Sequence, residues 1–243
     1  MSCLAANLCG QCYGFGIIRG VKLAKITEWL DNTLCVADFD DVSNNGLQLA
    51  RAHGEVRRAA VAVDASLRAV EVAAESEADL LIVHHGISWG GGIRRIEGGI
   101  YRVVKAAIDA DIAIYACHLP LDAHPVLGNN AGLARELGLK KLRKAFCYHG
   151  NVIGLVGTDP AGRRIGVCSG GAGEFAEEAK RLGCDEYVTG EASWGDVVAA
   201  QNAGIKMSCL GHYETEVYGV RAVAAAMRKA LKIQVDDLTE VLK

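Results

Sequence analysis

The sequence predicts an α/β protein of two closely packed lobes whose sheets are mixed and mostly parallel. Three observations lead to this. Short β-branched or aliphatic runs alternate with amphipathic helical stretches along the first half, the pattern of strand–helix–strand units in a parallel sheet. In the second half, two strand-like runs are joined only by Thr158-Asp159-Pro160-Ala161-Gly162, a connection whose Asp, Pro and Gly favour a reversal and hence an antiparallel hairpin. No linker rich in Pro, Ser or charge separates the halves, which places a tight lobe boundary near residue 125.

Residues 1–20 form a long uncharged run broken by Asn7, Gly10, Gln11, Gly14 and Gly16, and are expected to be an irregular extension. A vector-derived leader or a misplaced start codon would account for it. The first lobe, 21–125, begins with an amphipathic helix over Lys22–Leu34, in which Leu23, Ile26, Leu30 and Leu34 share one face. Strands follow at Val56–Val63 and Asp79–Val83 around a helix at Ser66–Ser76, then a helix at Gly99–Ala110 and a strand at Ile112–Cys117. The second lobe, 126–243, opens with a helix at Asn130–Leu137 and the hairpin strands Asn151–Gly157 and Arg163–Cys168. Gly170, Gly171 and Gly173 lead into a helix at Glu174–Leu182, then a strand at Glu186–Thr189, a helix at Ser193–Ala203, a strand at Ile205–Leu210 and a long helix from Glu214 to Leu231. The tail after Ile233 has no assigned structure.

With 51% hydrophobic and 23% charged residues the chain can bury enough apolar surface to offset the entropy of ordering it, which excludes intrinsic disorder. A net charge of −3 leaves no footprint for non-specific binding to a phosphate backbone, so nucleic acid is not an expected partner. The uncharged N-terminal run is too interrupted for a membrane span and has no basic residue before Arg19, so neither membrane insertion nor export is expected, and the location is cytoplasmic. Nine cysteines, an odd number scattered along the chain, do not form a secreted disulfide framework. Cys117, Cys168 and Cys209 fall in apolar strand-like runs and are expected to be small buried hydrophobes. Cys9-Gly-Gln-Cys12 is the only CxxC, compatible with a redox pair or half of a zinc site.

Ligand sites in α/β sheets gather beyond the carboxyl ends of strands, and three such places carry the same chemistry. His84 and His85 follow Leu80–Val83, His118 and Asp122 follow Ile112–Cys117, and His212 and Glu216 follow Ile205–Leu210. Of the seven histidines, five (84, 85, 118, 124 and 212) lie in these segments. Successive side chains on an extended backbone point to opposite sides, so adjacent imidazoles suit two different metals across one strand end. The His212–Glu216 spacing puts both on one helical face, although a lone HxxxE is also a common surface pair. Together His84, His85, Asp122, His212 and Glu216 make an imidazole–carboxylate set without thiolate, suited to two divalent Zn, Fe, Mn or Co ions that its carboxylates could bridge.

The runs Asn44-Asn45-Gly46-Leu47-Gln48, Val63-Asp64-Ala65-Ser66, His84-His85-Gly86, His118-Leu119-Pro120-Leu121-Asp122-Ala123-His124, Ser169–Gly173, Thr189-Gly190-Glu191 and Gly211–Glu216 occur in an order and spacing that resembles the GTP cyclohydrolase 1 type 2 homologues, the Nif-three-like dinuclear metal centre proteins. The resemblance covers about Lys22 to Ala230 and is to the short form without an inserted domain. It implies two similar lobes with the metal site between them, ligation by His84, His85, Asp122, His212 and Glu216, bridging by Asp122 and Glu216, and a ring-shaped homohexamer. In the segment Ile87–Gly92 the chain departs from the family in lacking a Lys, which removes the cation from that loop.

Several residues admit two readings. Glu191 is a candidate proton carrier or an ordinary N-terminal helix residue, and His118 and His124 either attend the metals and substrate or are structural. Ser169–Gly173 resembles a phosphate cradle or a tight strand-to-helix turn, and Trp89 and Trp194 either stack on a base or pack. The leading expectation is a dinuclear-metal-dependent hydrolase of a small molecule, a nucleotide opened at its imidazole ring being one case, with Glu191 and His124 as catalytic candidates. The alternative is a non-catalytic metal-binding scaffold or a metal storage and delivery protein.

Overall fold

The structure, a computed structural model, describes residues 20–243. The Cys9–Cys12 pair and the expected extension up to residue 19 lie outside the described residues. The chain enters through β1 (Val21–Lys22), which pairs antiparallel with β3 (Glu55–Val56), and α1 (Leu23–Leu34). Leu23, Ile26, Leu30 and Leu34 of α1 are all buried, as their spacing predicts, and each such side chain contributes about 1.5–3 kcal/mol.

The first sheet contains β2 (Gly46–Leu49), β4 (Arg58–Asp64), β5 (Leu80–His85), β6 (Ala113–Ala116) and β12 (Gln234–Asp237), in the order β12-β4-β5-β6-β2. All its pairings are parallel except β2 with β6. Its central strands β4, β5 and β6 are apolar on both faces, the signature of a covered parallel sheet. Val61, Val63, Leu80, Ile82 and Tyr115 face α1 and the long helix α8 (His212–Leu231). Ala60, Ala62, Leu81, Val83 and Ile114 face α2 (Leu67–Glu75) and α3 (Gly98–Asp109).

The second sheet runs β11 (Lys206–Cys209), β10 (Glu186–Glu191), β9 (Arg164–Gly171), β8 (Asn151–Thr158), β7 (Lys140–Tyr148). The β8–β9 hairpin is antiparallel, as the Asp-Pro-Gly connection implied, β7 adds antiparallel to β8, and β9, β10 and β11 are parallel. The helices α6 (Ala176–Arg181) and α7 (Trp194–Ala203) cover one face, and α5 (Asn129–Glu136) packs with Ile165, Val167 and Val188 on the other. The short α4 (Leu119–Ala123) leads from β6 toward α5.

Both sheets share α8, which packs against β4, β5 and β12 of the first and β9 and β10 of the second. Close approach requires a small residue where α8 meets its neighbours: a Cβ at Gly219 would stand 2.7 Å from Asn129 Oδ1 and 2.8 Å from Leu121 Cγ. The helix begins at His212 rather than Glu214, so the whole His212–Glu216 spacing lies inside its first turns. His84 and His85 belong to β5 itself instead of the loop after it. The tail after Ile233 becomes β12 and pairs with β4, so the first sheet takes its last strand from the far end of the chain. Cys117 and Cys168 are buried, but Cys209 is exposed because β11 is an edge strand.

Candidate metal centre

The carboxyl ends of the parallel strands in both sheets converge on the first turn of α8. From the first sheet come His84 and His85 at the end of β5, His118 just after β6, and Asp122 in α4. From the second come Ser169 and Gly170 at the end of β9 and Glu191 at the end of β10. The α8 helix supplies His212 and Glu216, four residues apart and therefore on one face. All five residues expected from the sequence as ligands are brought together here.

Four imidazoles are oriented in the same way, each held at Nδ1 by an oxygen acceptor so that Nε2 is left for the cleft. His84 Nδ1 donates to the Cys117 carbonyl at 3.0 Å, on the β6 side, and His85 Nδ1 to Asp64 Oδ1 at 2.8 Å, on the β4 side. His118 Nδ1 lies 2.9 Å from Asp41 Oδ1 and His212 Nδ1 lies 3.0 Å from Glu191 Oε1. Such an anchor selects the ring orientation and makes Nε2 the free donor atom. The adjacent histidines thus reach opposite neighbouring strands with Nδ1, yet their rings are only 4.6 Å apart and both open into one cleft, so the divergence expected of successive strand residues is only partial.

Glu216 is buried at the centre. Its Oε1 lies 3.4 Å from His84 Nε2 and 3.2 Å from His212 Nε2, and its Oε2 lies 3.4 Å from His85 Nε2. Asp122 Oδ1 stands 3.6 Å from His84 Nε2 and accepts from Asn129 Nδ2 at 2.9 Å and Ser169 Oγ at 3.0 Å. His84 Nε2 and Glu216 Oε2 are buried without a hydrogen-bond partner. Buried polar atoms are almost always paired, so this donor set is the kind that a cation completes. Two groups bring donor atoms within 4.8 Å of one another: His84, His85 and His118, and His85, His212 and Glu216.

The electrostatics express the same crowding. Burial pushes the His84 pKa down, but the Asp122 and Glu216 carboxylates outweigh it and raise it to about 10. Contact with Glu216 raises His212 to about 9 against the opposing effect of burial, with Glu191 adding to it. Burial alone would raise the Glu216 pKa; the His84, His212 and His85 imidazoles instead hold it far below the usual carboxylate range. Asp41 falls to about 2 because His118, Asn45 and the Ser43 amide outweigh its burial.

Sequence reasoning missed Asp41, whose other oxygen accepts from Leu119 N and Asn45 Nδ2 while Asn45 Oδ1 accepts from His118 N. Only the motif around Asn45 pointed toward it. Gln48, in the same motif, accepts from the Ile87 and Ser88 amides and fixes the loop after His85. His124 does not join the cluster: Nε2 donates to the Thr33 carbonyl, and Nδ1 accepts from the Val126 and Leu127 amides. Ser169–Gly171 ends β9 and Gly173 opens a single 3-10 turn, with the amides of Ser169, Gly170 and Ala172 donating to Asn130, Thr215 and Thr189, so these three amides are not available to a phosphate. Trp89 ties its Nε1 to the Gly86 carbonyl and lies 5.1 Å from the His118 ring, whereas Trp194 is 77% exposed. A cavity of about 360 Å³ opens beside the cluster, lined by His85, His118, His212 and Glu216 and walled by Tyr148 and Phe175. No helix among the described residues is long and apolar enough to cross a membrane.

Comparison with known proteins agrees with this architecture. The Duf34/NIF3 (NGG1p interacting factor 3) family model matches residues 21–162 and 148–241. A Deinococcus radiodurans protein named GTP cyclohydrolase 1 type 2 homolog is 40% identical over 230 residues, covering 83% of this chain and 86% of that protein. One of the same name from Archaeoglobus fulgidus is 35% identical over 237 residues, covering 88% of this chain and 96% of that protein. The structure of protein ybgI, described as of unknown function, superposes with a TM-score of 0.83 at 29% identity over 90% of this chain and 98% of that one. From the match over nearly all described residues, the shared fold and the histidine–carboxylate cluster, the chain belongs to the Duf34/NIF3 (NGG1p interacting factor 3) family.

Proposed function

We propose that this protein is a metal-dependent hydrolase of a small molecule, using two divalent transition-metal ions held by His84, His85, Asp122, His212 and Glu216. The observation that carries this reading is the buried, unpartnered His84 Nε2 facing a buried carboxylate whose own Oε2 is unpartnered. Imidazole and carboxylate donors without thiolate suit Zn, Fe, Mn or Co, and Glu216, with one oxygen toward each histidine of the β5 pair, suits a bridging role, as Asp122 does beside it. Such ions, when bound, lower the pKa of water and polarise a substrate oxygen.

The remaining roles fall to the chain. Asp64, Asp41, Glu191 and the Cys117 carbonyl hold the imidazoles by Nδ1, which keeps the Nε2 atoms in place without further ordering. Glu191, at the cavity and 64% exposed, takes a proton from water or returns one to a leaving nitrogen at its carboxylate oxygens. His124, with both ring nitrogens engaged by backbone, holds the turn after α4 instead. The name of the relatives directs the first substrate screen to C–N hydrolysis in a nucleotide imidazole ring. A cavity against the cluster favours catalysis over metal storage, which needs none. A homohexamer, on the family resemblance, and a cytoplasmic location, on the sequence composition, complete the reading.

The test is metal content per chain on protein purified without chelator, beside Glu216→Ala, followed by hydrolysis assays on whichever form holds metal. About two equivalents, falling sharply in the variant, support the site. Below about half an equivalent, unchanged by the substitution and by added Zn, Mn or Fe, the reading fails.

A further inference from the structure

The cavity beside the cluster has a charge character that bears on what can enter it. None of the described residues lining it is Lys or Arg. Its apolar wall comes from Leu119, Tyr148, Ile153 and Phe175, and its polar groups, apart from the imidazoles, are mostly carboxylates. Glu174, Glu191 and Glu216 line the cavity, Asp64 and Asp41 touch its His85 and His118, and Asp122 touches His84 of the same cluster, six negative charges that exceed the four positive charges of two divalent ions. Glu174 is exposed at the rim and has no ion-pair partner among the described residues. In Ser169–Gly173, three of the backbone N–H groups that could stand in for a cation, those of Ser169, Gly170 and Ala172, already donate to side chains. The segment Ile87–Gly92 contains no basic residue, and Arg94 and Arg95, farther along the same loop, do not line the cavity.

We infer that this cavity takes an uncharged or cationic planar ring compound, packed against Tyr148 and Phe175 with N–H groups toward Glu174, and discriminates against polyphosphates. The inference rests on the reading of the cluster as a metal centre and narrows the substrate of that site. A nucleoside triphosphate would bring about four negative charges into a net negative, partly enclosed site, where like charges cost the most. A nucleoside or free base would not.

The matched probes are guanosine and GTP, titrated calorimetrically into metal-loaded full chain and into Glu174→Lys at about 0.15 M salt, with metal content measured on the same samples. Guanosine is expected to bind at least about tenfold more tightly than GTP to the wild-type chain. Glu174→Lys is expected to tighten GTP at least about fivefold without tightening guanosine. GTP bound as tightly as guanosine or more so, an unchanged ratio in the variant, or no binding of either probe at about 1 mM overturns the inference even where about two metal equivalents are present. A chain that takes up no metal fails the metal reading separately. The order of the two probes on it still decides the inference, since the lining residues are the same with or without ions.

Discussion

Gly170 and Glu216 are in direct contact. A β-carbon at position 170 would overlap Glu216 Oε1 and stand 3.4 Å from His212 Nε2, and the residue holds φ at +68°. The end of β9 is therefore the wall against which the central carboxylate rests, and two physical constraints, space and a left-handed backbone, act on one residue. Gly170→Ala should displace Glu216 and lower metal affinity at least about tenfold, with a backbone cost of about 1–2 kcal/mol. Metal titration and thermal melting of the variant check this, and wild-type affinity in a folded Gly170→Ala protein would refute it.

The stability of the metal-free protein should fall with rising pH. Its His84 and His212 pKa values, raised to about 10 and about 9, lie above the ordinary histidine value of 6.5. A pKa raised on folding stabilises the fold fully below the unfolded value, and that contribution is lost as pH climbs through the folded values. Between about pH 7 and pH 10 the metal-free melting temperature should drop more steeply than the metal-loaded one, whose histidines ligate as neutral rings. Parallel slopes for the two forms would contradict the charged pair.

Asn129 joins three elements: Nδ2 donates to Asp122 Oδ1 at 2.9 Å, while Oδ1 accepts from the Gly219 amide of α8 at 2.7 Å. Asn129→Ala removes an acceptor from the Gly219 N–H and a donor from Asp122, at a cost of about 1–3 kcal/mol. A lower urea midpoint accompanied by weaker metal uptake is expected. A lower midpoint with unaltered uptake would mean that Asp122 is positioned by Ser169 alone.

Ser193 and Asp196 form a reciprocal cap at the start of α7, with Ser193 Oγ accepting from Asp196 N at 3.2 Å and Asp196 Oδ2 accepting from Ser193 N at 2.8 Å. Ser193→Ala should cost about 1 kcal/mol by chemical denaturation. Because neither residue lines the metal cavity, metal content should not change, and a loss of metal would show that α7 couples to the site through Glu191.

The elements that the sequence made legible are those whose own residues carry a period. The α1 face of Leu23, Ile26, Leu30 and Leu34 repeats at helical spacing, and β4, β5 and β6 are apolar on both sides because helices cover both faces. The strands missed in the two large sheets, β2, β7 and β12, are all edge strands. Lys140 to Lys144 in β7 and Gln234 to Asp237 in β12 are largely polar, as solvated edges are, and what makes them strands is the backbone pairing offered by β8 and β4. For β12, no local pattern encodes a partner, β4, that lies 176 residues away in the chain.

The α/β alternation, the hairpin at Thr158–Gly162 and a histidine–carboxylate set placed after strands are written in short segments, since residue type and spacing are local properties. Which of those groups meet was settled by the tertiary packing. It turned His84 and His85 into one cleft, recruited Asp41 from a loop 77 residues before His118, gave both ring nitrogens of His124 to the backbone, and used the glycine-rich turn's amides internally. Those outcomes follow from the packing of α8 between two sheets, which sets distances between residues remote in sequence and so fixes which buried polar atoms find partners and which are left for a cation.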